Sequence, residues 1–178
     1  MNSDMISKID KAKRYAQEPE RISLGALAAT FRGSNGDHQL ALRDGAWQCD
    51  CHFYETHGSC AHVMAAQRVL APMLPEGARY EHSHALAAAE SSLISKIDKA
   101  RRYAQEPERL TLTTLDATFR GSNDDHAITL RDGAWHCACH FSETHQSCAH
   151  TMAMQRVLTP MLPEAARYES VAVAASGV

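Results

Sequence analysis

Residues 47–62 read Trp-Gln-Cys-Asp-Cys-His-Phe-Tyr-Glu-Thr-His-Gly-Ser-Cys-Ala-His. This stretch places thiols at Cys49, Cys51 and Cys60 and an imidazole at His62. All six cysteines of the chain belong to this cluster or to one with the same ligand spacing further along. Three thiolates and one imidazole are a ligand set that a tetrahedral structural zinc ion takes, so the pattern predicts two zinc ions per chain. The second predicted ligand set is Cys137, Cys139, Cys148 and His150.

Two other uses of the cysteines fit less well. A disulfide framework would leave one thiol over in each cluster, and cysteines two apart on one strand do not readily bridge each other. An iron–sulfur centre also accepts thiolates, and its colour would reveal it. Zinc is therefore the favoured occupant.

The fourth ligand has a competitor within the same stretch. His62 is favoured because it lies two residues after a cysteine at the predicted start of a helix, but His57 is close enough to replace it. His52 is expected to be exposed on the opposite face of the preceding strand. His38 falls among inward leucines, where it either bonds to backbone or supports a metal ligand. The equivalents in the second cluster are His150, His145, His140 and His126.

The cluster belongs to a unit that occurs twice. Residues 6–80 align with 94–168 without a gap, and 57 of the 75 pairs are identical. This self-similarity indicates a tandem duplication. The hydrophobic core of a 75-residue unit is barely sufficient to stabilise a fold alone. A metal ion that joins the elements of each unit would add the missing stability. We predict a first unit at 1–80 (motif 47–62), a linker at 81–92, a second unit at 93–168 (motif 135–150) and a C-terminal tail at 169–178.

Each unit is predicted to be α+β, with the order helix–β–β–β–helix. Residues 4–18 have helical spacing of apolar side chains, and Pro19 ends that helix. From Arg21 the pattern alternates as in a three-stranded antiparallel meander, with a tight turn at Asp44-Gly45. The third strand is expected to carry Trp47, Cys49, Cys51 and Phe53 on one face. Ser59 is the expected N-cap of the second helix.

Composition indicates an ordinary globular chain and excludes an apolar run of the ~20 residues that span a bilayer. The first residues lack the order of a secretory signal, so we expect a cytoplasmic protein with reduced thiols. The formal charge is −3 and becomes −5 when two zinc ions displace six thiol protons. In the linker, His82 and His84 have no counterpart after the second unit and are expected to be solvated.

The motif resembles the SWIM zinc finger family, which has Cys-x-Cys, a variable spacer and Cys-x-His. Here it reads Cys49-Asp-Cys51, eight residues, then Cys60-Ala-His62, and the second copy has the same spacing. The resemblance covers the core of each unit, from residues 31–35 to the helix after the histidine. It implies a structural metal ion and a role in contacting DNA or other proteins. Elsewhere the motif accompanies chromatin-remodelling-type ATPases, transposases and a MAP-kinase-kinase kinase, but no such catalytic partner domain is recognisable in this sequence.

Three classes of function follow from these features. Nucleic-acid binding is favoured by a basic face on each first helix and by arginines at strand ends. A protein-interaction adaptor is the alternative, because the outward strand faces of the two copies differ. An enzyme is not expected, since four protein ligands close the metal shell and no small-molecule substrate site is evident. The predicted nucleic-acid contacts are Lys8, Lys11, Arg14, Arg32, Arg43, Lys96, Lys99, Arg102, Arg120 and Arg131.

Overall fold

The computed structural model describes residues 3–80 and 91–168, with side chains from residue 93 in the second range. The first copy consists of α1 (Ser3–Tyr15), β1 (Ile22–Arg32), β2 (Asp37–Arg43), β3 (Ala46–Cys49), α2 (His52–His57) and α3 (Ala61–Val69). The second consists of α4 (Ser91–Tyr103), β4 (Leu110–Arg120), β5 (Asp125–Arg131), β6 (Ala134–Cys137), α5 (His140–His145) and α6 (Ala149–Leu158). The α+β class and the three-stranded antiparallel meander of each copy are confirmed.

Local chemistry fixes the ends of these elements. The first helix ends three residues before the predicted position, because the amides of Gln17 and Glu18 bond to carbonyls three residues back and tighten the chain before Pro19. Between β2 and β3, Asp44 and Gly45 have φ angles of 50° and 77°, as a two-residue type I′ hairpin requires. That turn is where the sequence places it.

The two meanders form one six-stranded sheet in the order β3-β2-β1-β4-β5-β6. Strands β1 and β4 pair antiparallel at its centre, with Leu27 opposite Leu115. Since the order of equivalent strands is the same from either edge, the two copies are related by an approximate two-fold axis between β1 and β4. The sequence did not predict this junction.

The first helices are exchanged between the copies. Helix α1 packs against α6 of the second copy, and α4 packs against α3 of the first. Each copy therefore contributes a helix to the core of the other. The predicted boundaries at 1–80 and 93–168 stay predictions, although Ser91 already begins α4. Residues 81–90, with His82 and His84, and the tail at 169–178 lie outside the described residues.

The sheet has one covered and one open face. Alternate side chains such as Leu40 and Leu42 are buried beneath the helices together with Phe31, Phe119 and Ile128. The side chains between them form the open face, which carries small and polar residues and four strand-end arginines: Arg32, Arg43, Arg120 and Arg131. Among the described residues, no helix is both long and apolar enough to cross a membrane.

Candidate metal centres

Each candidate ligand of the first cluster lies at the end or the start of an element. Cys49 is the last residue of β3, Cys51 is the N-cap of α2, and Cys60 is the N-cap of α3. The sulfur of Cys51 accepts a hydrogen bond from the Tyr54 amide at 3.4 Å, and that of Cys60 accepts one from the Val63 amide at 3.5 Å. These two bonds fix the positions of both sulfurs at the starts of their helices.

Two local predictions need correction. Strand β3 stops at Cys49, so Cys51 and Phe53 are not strand residues that share its inner face. A short helix, α2, follows instead and turns the Cys51 sulfur toward the cluster. The cap of α3 is Cys60 rather than Ser59. The thiol of Cys60 therefore caps α3, where the sequence predicted the hydroxyl of Ser59.

The four donor atoms of each cluster converge. Within a cluster, all four lie within 4.8 Å of one another. His62 Nδ1 is 3.8 Å from Cys49 Sγ and 3.9 Å from Cys60 Sγ. His150 Nδ1 is 3.8 Å from both Cys137 Sγ and Cys148 Sγ. A tetrahedral zinc ion with ordinary bond lengths sets nitrogen and sulfur ligands about 3.6 Å apart, so these four nitrogen–sulfur distances are close to those around such an ion.

All six cysteines are buried free thiols rather than disulfides. Hydrogen bonds between the cysteines of one cluster shift the pKa values of individual thiols. The pKa of Cys49 is raised, first by its hydrogen bond with Cys60 and then by burial. In the second cluster the pKa of Cys148 is lowered to about 3, chiefly by a hydrogen bond from Cys137, whose own pKa is raised. A divalent cation held by these sulfurs would displace the shared protons, which couples metal binding to proton release.

His62 is suited to bind a metal ion through a neutral ring. Its pKa is lowered to about 4, first by burial and then by electrostatic interactions with His38, Lys99 and Lys96. The loop at Gly33 approaches it closely, since a Cβ at that glycine would lie 3.2 Å from His62 Nε2. Neutral imidazole is the form that ligates metals, so the site keeps the ring in the required state.

The competing histidines lie elsewhere. His57 is exposed and stacks on Phe53 at 4.0 Å between ring centroids, and its Nδ1 is 2.6 Å from Thr56 Oγ1. His145 repeats this arrangement on Phe141. The structure therefore brings neither of them into a cluster. The side chains of His52 and His140 are 89% and 93% exposed as expected, although they begin short helices rather than face outward from a strand.

His38 and His126 support the ligand imidazoles. The rings of His38 and His62 stack with centroids 4.2 Å apart, and those of His126 and His150 at 4.3 Å. His38 Nδ1 also lies 3.3 Å from a carboxylate oxygen of Asp50. The position of Asp50 is an alanine in the second copy, so the two clusters have similar ligands but different surroundings.

Sequence reasoning missed the tyrosines that cover both clusters. Tyr103 of α4 stacks on His62 at 6.1 Å and packs on Phe31 at 5.4 Å, and its hydroxyl oxygen accepts a hydrogen bond from the Ser34 amide. Tyr15 of α1 similarly covers His150 at 5.9 Å. Both tyrosines come from the opposite copy. The sequence does place a tyrosine at the same position in both copies. It does not show which copy's cluster each tyrosine ring covers.

The predicted basic residues fall into three groups. The four arginines at strand ends, Arg32, Arg43, Arg120 and Arg131, lie on the open face of the sheet. Arg14 and Arg102 are exposed near the ends of α1 and α4. The lysines Lys8, Lys11, Lys96 and Lys99 are half-buried and turn toward the metal centre of the other copy.

Comparison with protein-family models, curated proteins and solved structures finds no match to this chain.

Proposed function

We propose that the chain is a non-catalytic zinc protein of the SWIM type that binds nucleic acid on the open face of its sheet. In this proposal the metal ions stabilise the fold, whereas the sheet face contacts the nucleic acid. The observation that carries the proposal is that all four strand-end arginines emerge on one continuous surface. In two separate units they would belong to two smaller sheets.

Zinc is the proposed ion because the donors are three sulfurs and one nitrogen that all lie within 4.8 Å of one another. The resemblance to SWIM motifs rests on the same residues. Four protein ligands leave no open coordination position for a substrate or an activated water. The ions would therefore act structurally, by joining β3 to α2 and α3 in the first copy and β6 to α5 and α6 in the second.

Two of the four arginines lie near the two-fold axis. Arg43 and Arg131 line a shallow depression of about 400 Å³ at the centre of the open face, together with Ala28, Thr114 and Asp116. Arg131 is held there by an ion pair with Asp116 at 2.6 Å. Arg43 has no ion pair or hydrogen bond from its guanidinium to another described residue, so it is available for a phosphate.

The protein-adaptor alternative has its own supporting observation. The open face carries acidic as well as basic side chains, since Asp37 lies opposite Arg32 and Asp125 opposite Arg120 in the strand pairs. It also differs between the copies, for example at Ala28 and its counterpart Asp116. A nearly neutral, unsymmetrical surface suits a protein partner as well as a polyanion.

A salt series with random-sequence duplex DNA tests the proposal. Four arginine–phosphate contacts predict a slope of log affinity against log salt of about −3 to −4. The double variant Arg43→Gln/Arg120→Gln removes one charge from each copy and is expected to reduce that slope by about 1.8. Fluorescence anisotropy with a labelled duplex measures both quantities.

The matched control is Arg14→Gln/Arg102→Gln, which removes the same charge from the exposed helix ends and is expected to leave the slope near the wild-type value. If the helix-end variant reduced the slope more than the sheet variant, the nucleic-acid contact would lie on the helices. No retention on DNA or RNA even at low salt would eliminate nucleic-acid binding and favour the adaptor.

A further inference from the structure

Two lysines of α4 lie over the metal centre of the first copy. Lys96 Nζ is 4.7 Å from the ring centroid of Phe53, in the first turn after the ligand Cys51. Lys99 Nζ is 5.4 Å from the ring of Tyr103, which in turn stacks on His62. Both lysines belong to the helix that packs against α3, and the N-cap of α3 is the ligand Cys60.

The second copy repeats this arrangement with the lysines of α1. Lys8 Nζ is 4.8 Å from the ring of Phe141, and Lys11 Nζ is 5.3 Å from the ring of Tyr15. Both lysines line a cleft of about 640 Å³ whose wall also includes the ligands Cys139 and His150. The lysines thus share one cavity with the metal ligands.

A metal centre of this kind needs a counter-charge. Three thiolates, one neutral imidazole and a divalent ion sum to −1, and an unpaired charge in a buried place is costly. Within its own motif, the copy that contains the ligands has no lysine or arginine near them. Between residues 31 and 62 the only lysine or arginine side chains are Arg32 and Arg43, and both lie on the opposite face of the sheet.

We infer that each metal centre takes its counter-charge from the first helix of the other copy. Lys96 and Lys99 serve the centre at Cys49, Cys51, Cys60 and His62, and Lys8 and Lys11 serve its counterpart. This assignment rests on the proposed zinc binding and gives the four lysines a role other than contact with phosphates. It makes metal retention in one half of the chain depend on the sequence of the other half.

The test is metal release from the full-length zinc-loaded protein. The double variant Lys96→Gln/Lys99→Gln is mixed with excess chelator and N-ethylmaleimide, and alkylation of each cysteine is followed by peptide mass spectrometry. Because all six cysteines are in the two clusters, each cluster reports on its own ion. Loss of two nearby charges is expected to speed the first alkylation events, those at Cys49, Cys51 and Cys60, by about ten-fold, ahead of the second cluster, which loses support only after the first ion has left. Lys8→Gln/Lys11→Gln should give the mirror result.

Three controls distinguish the loss of lysine charge from a general destabilisation of the fold. Lys96→Arg/Lys99→Arg should restore the slow rate, and the exposed pair Lys13→Gln/Arg14→Gln should change neither cluster. Added salt should speed release from wild type and have less effect on the variant. Faster release at the cluster of the mutated copy itself, equally at both clusters or at neither would overturn the inference. A wild-type protein without bound zinc would remove the proposed function as well, whereas two bound ions with unaffected release would remove only the inference.

Discussion

Complete removal of metal by a strong chelator is expected to unfold both copies in one transition. Structural zinc sites of this size supply about 10–16 kcal/mol each at neutral pH, which is as much as the whole stability of a typical domain. The ligands begin α2 and α3, and α3 in turn carries α4 from the second copy. Loss of either ion therefore removes support from both halves of the sheet.

The two tryptophans allow each half to be followed separately. Trp47 donates a hydrogen bond to the Ala78 carbonyl at 2.9 Å, and Trp135 donates one to the Ala166 carbonyl at 2.9 Å. Single-tryptophan variants, Trp135→Phe and Trp47→Phe, should show coincident fluorescence transitions during chelation. Two separate transitions would mean that the units fold independently. Full near-UV circular dichroism after complete metal removal would contradict the structural role of the ions.

Phe119→Ala is expected to lower the free energy of unfolding by about 3–5 kcal/mol, because it empties a fully buried site. Phe119 is 0% exposed and packs on both His150 and the exchanged Tyr15, at centroid distances of 5.3 and 5.2 Å. Its counterpart Phe31→Ala should cost a similar amount. Urea denaturation of the metal-loaded protein measures the change, and Phe53→Ala at a half-buried position is the control with a smaller expected loss.

A double-mutant cycle on the same phenylalanine tests the exchange of helices. Tyr15 touches Phe119, whereas Tyr103 touches Phe31. Substitution of Tyr15 by leucine should couple to Phe119→Leu by about 0.5–1.5 kcal/mol, and substitution of Tyr103 should not couple to it. Coupling of Phe119 to Tyr103 instead would place each helix on its own copy.

Local features were predictable from sequence because they depend on neighbours in the chain. The spacing Cys49-x-Cys51 and Cys60-x-His62 brings the ligands together within one hairpin and one helix start. The Asp44-Gly45 turn follows equally from the backbone freedom of its residues. The predicted end of β3 was wrong because the period-two pattern of side chains continues through Asp50-Cys51. In the structure the chain has already turned at that point, and the Cys51 sulfur caps a helix.

The arrangement of the copies could not be predicted in this way. The stretches around Tyr15 and Tyr103 are nearly identical, so either helix fits either copy, and tertiary packing decides. The pairing of the two meanders into one sheet had only a weak signal. Strand β1 is eleven residues long and pairs with β2 along only one edge, so its other edge needs a partner. Strand β4 supplies that partner.

The metal content of the native protein shows most directly whether the chain holds two structural ions. Native mass spectrometry together with elemental analysis should find two zinc ions per chain. His62→Ala should lose one ion, while His57→Ala, at the exposed competitor, should keep both. A wild-type chain that binds no metal, or retention of both ions by His62→Ala with loss of one by His57→Ala, would contradict the assignment of two buried Cys3His centres.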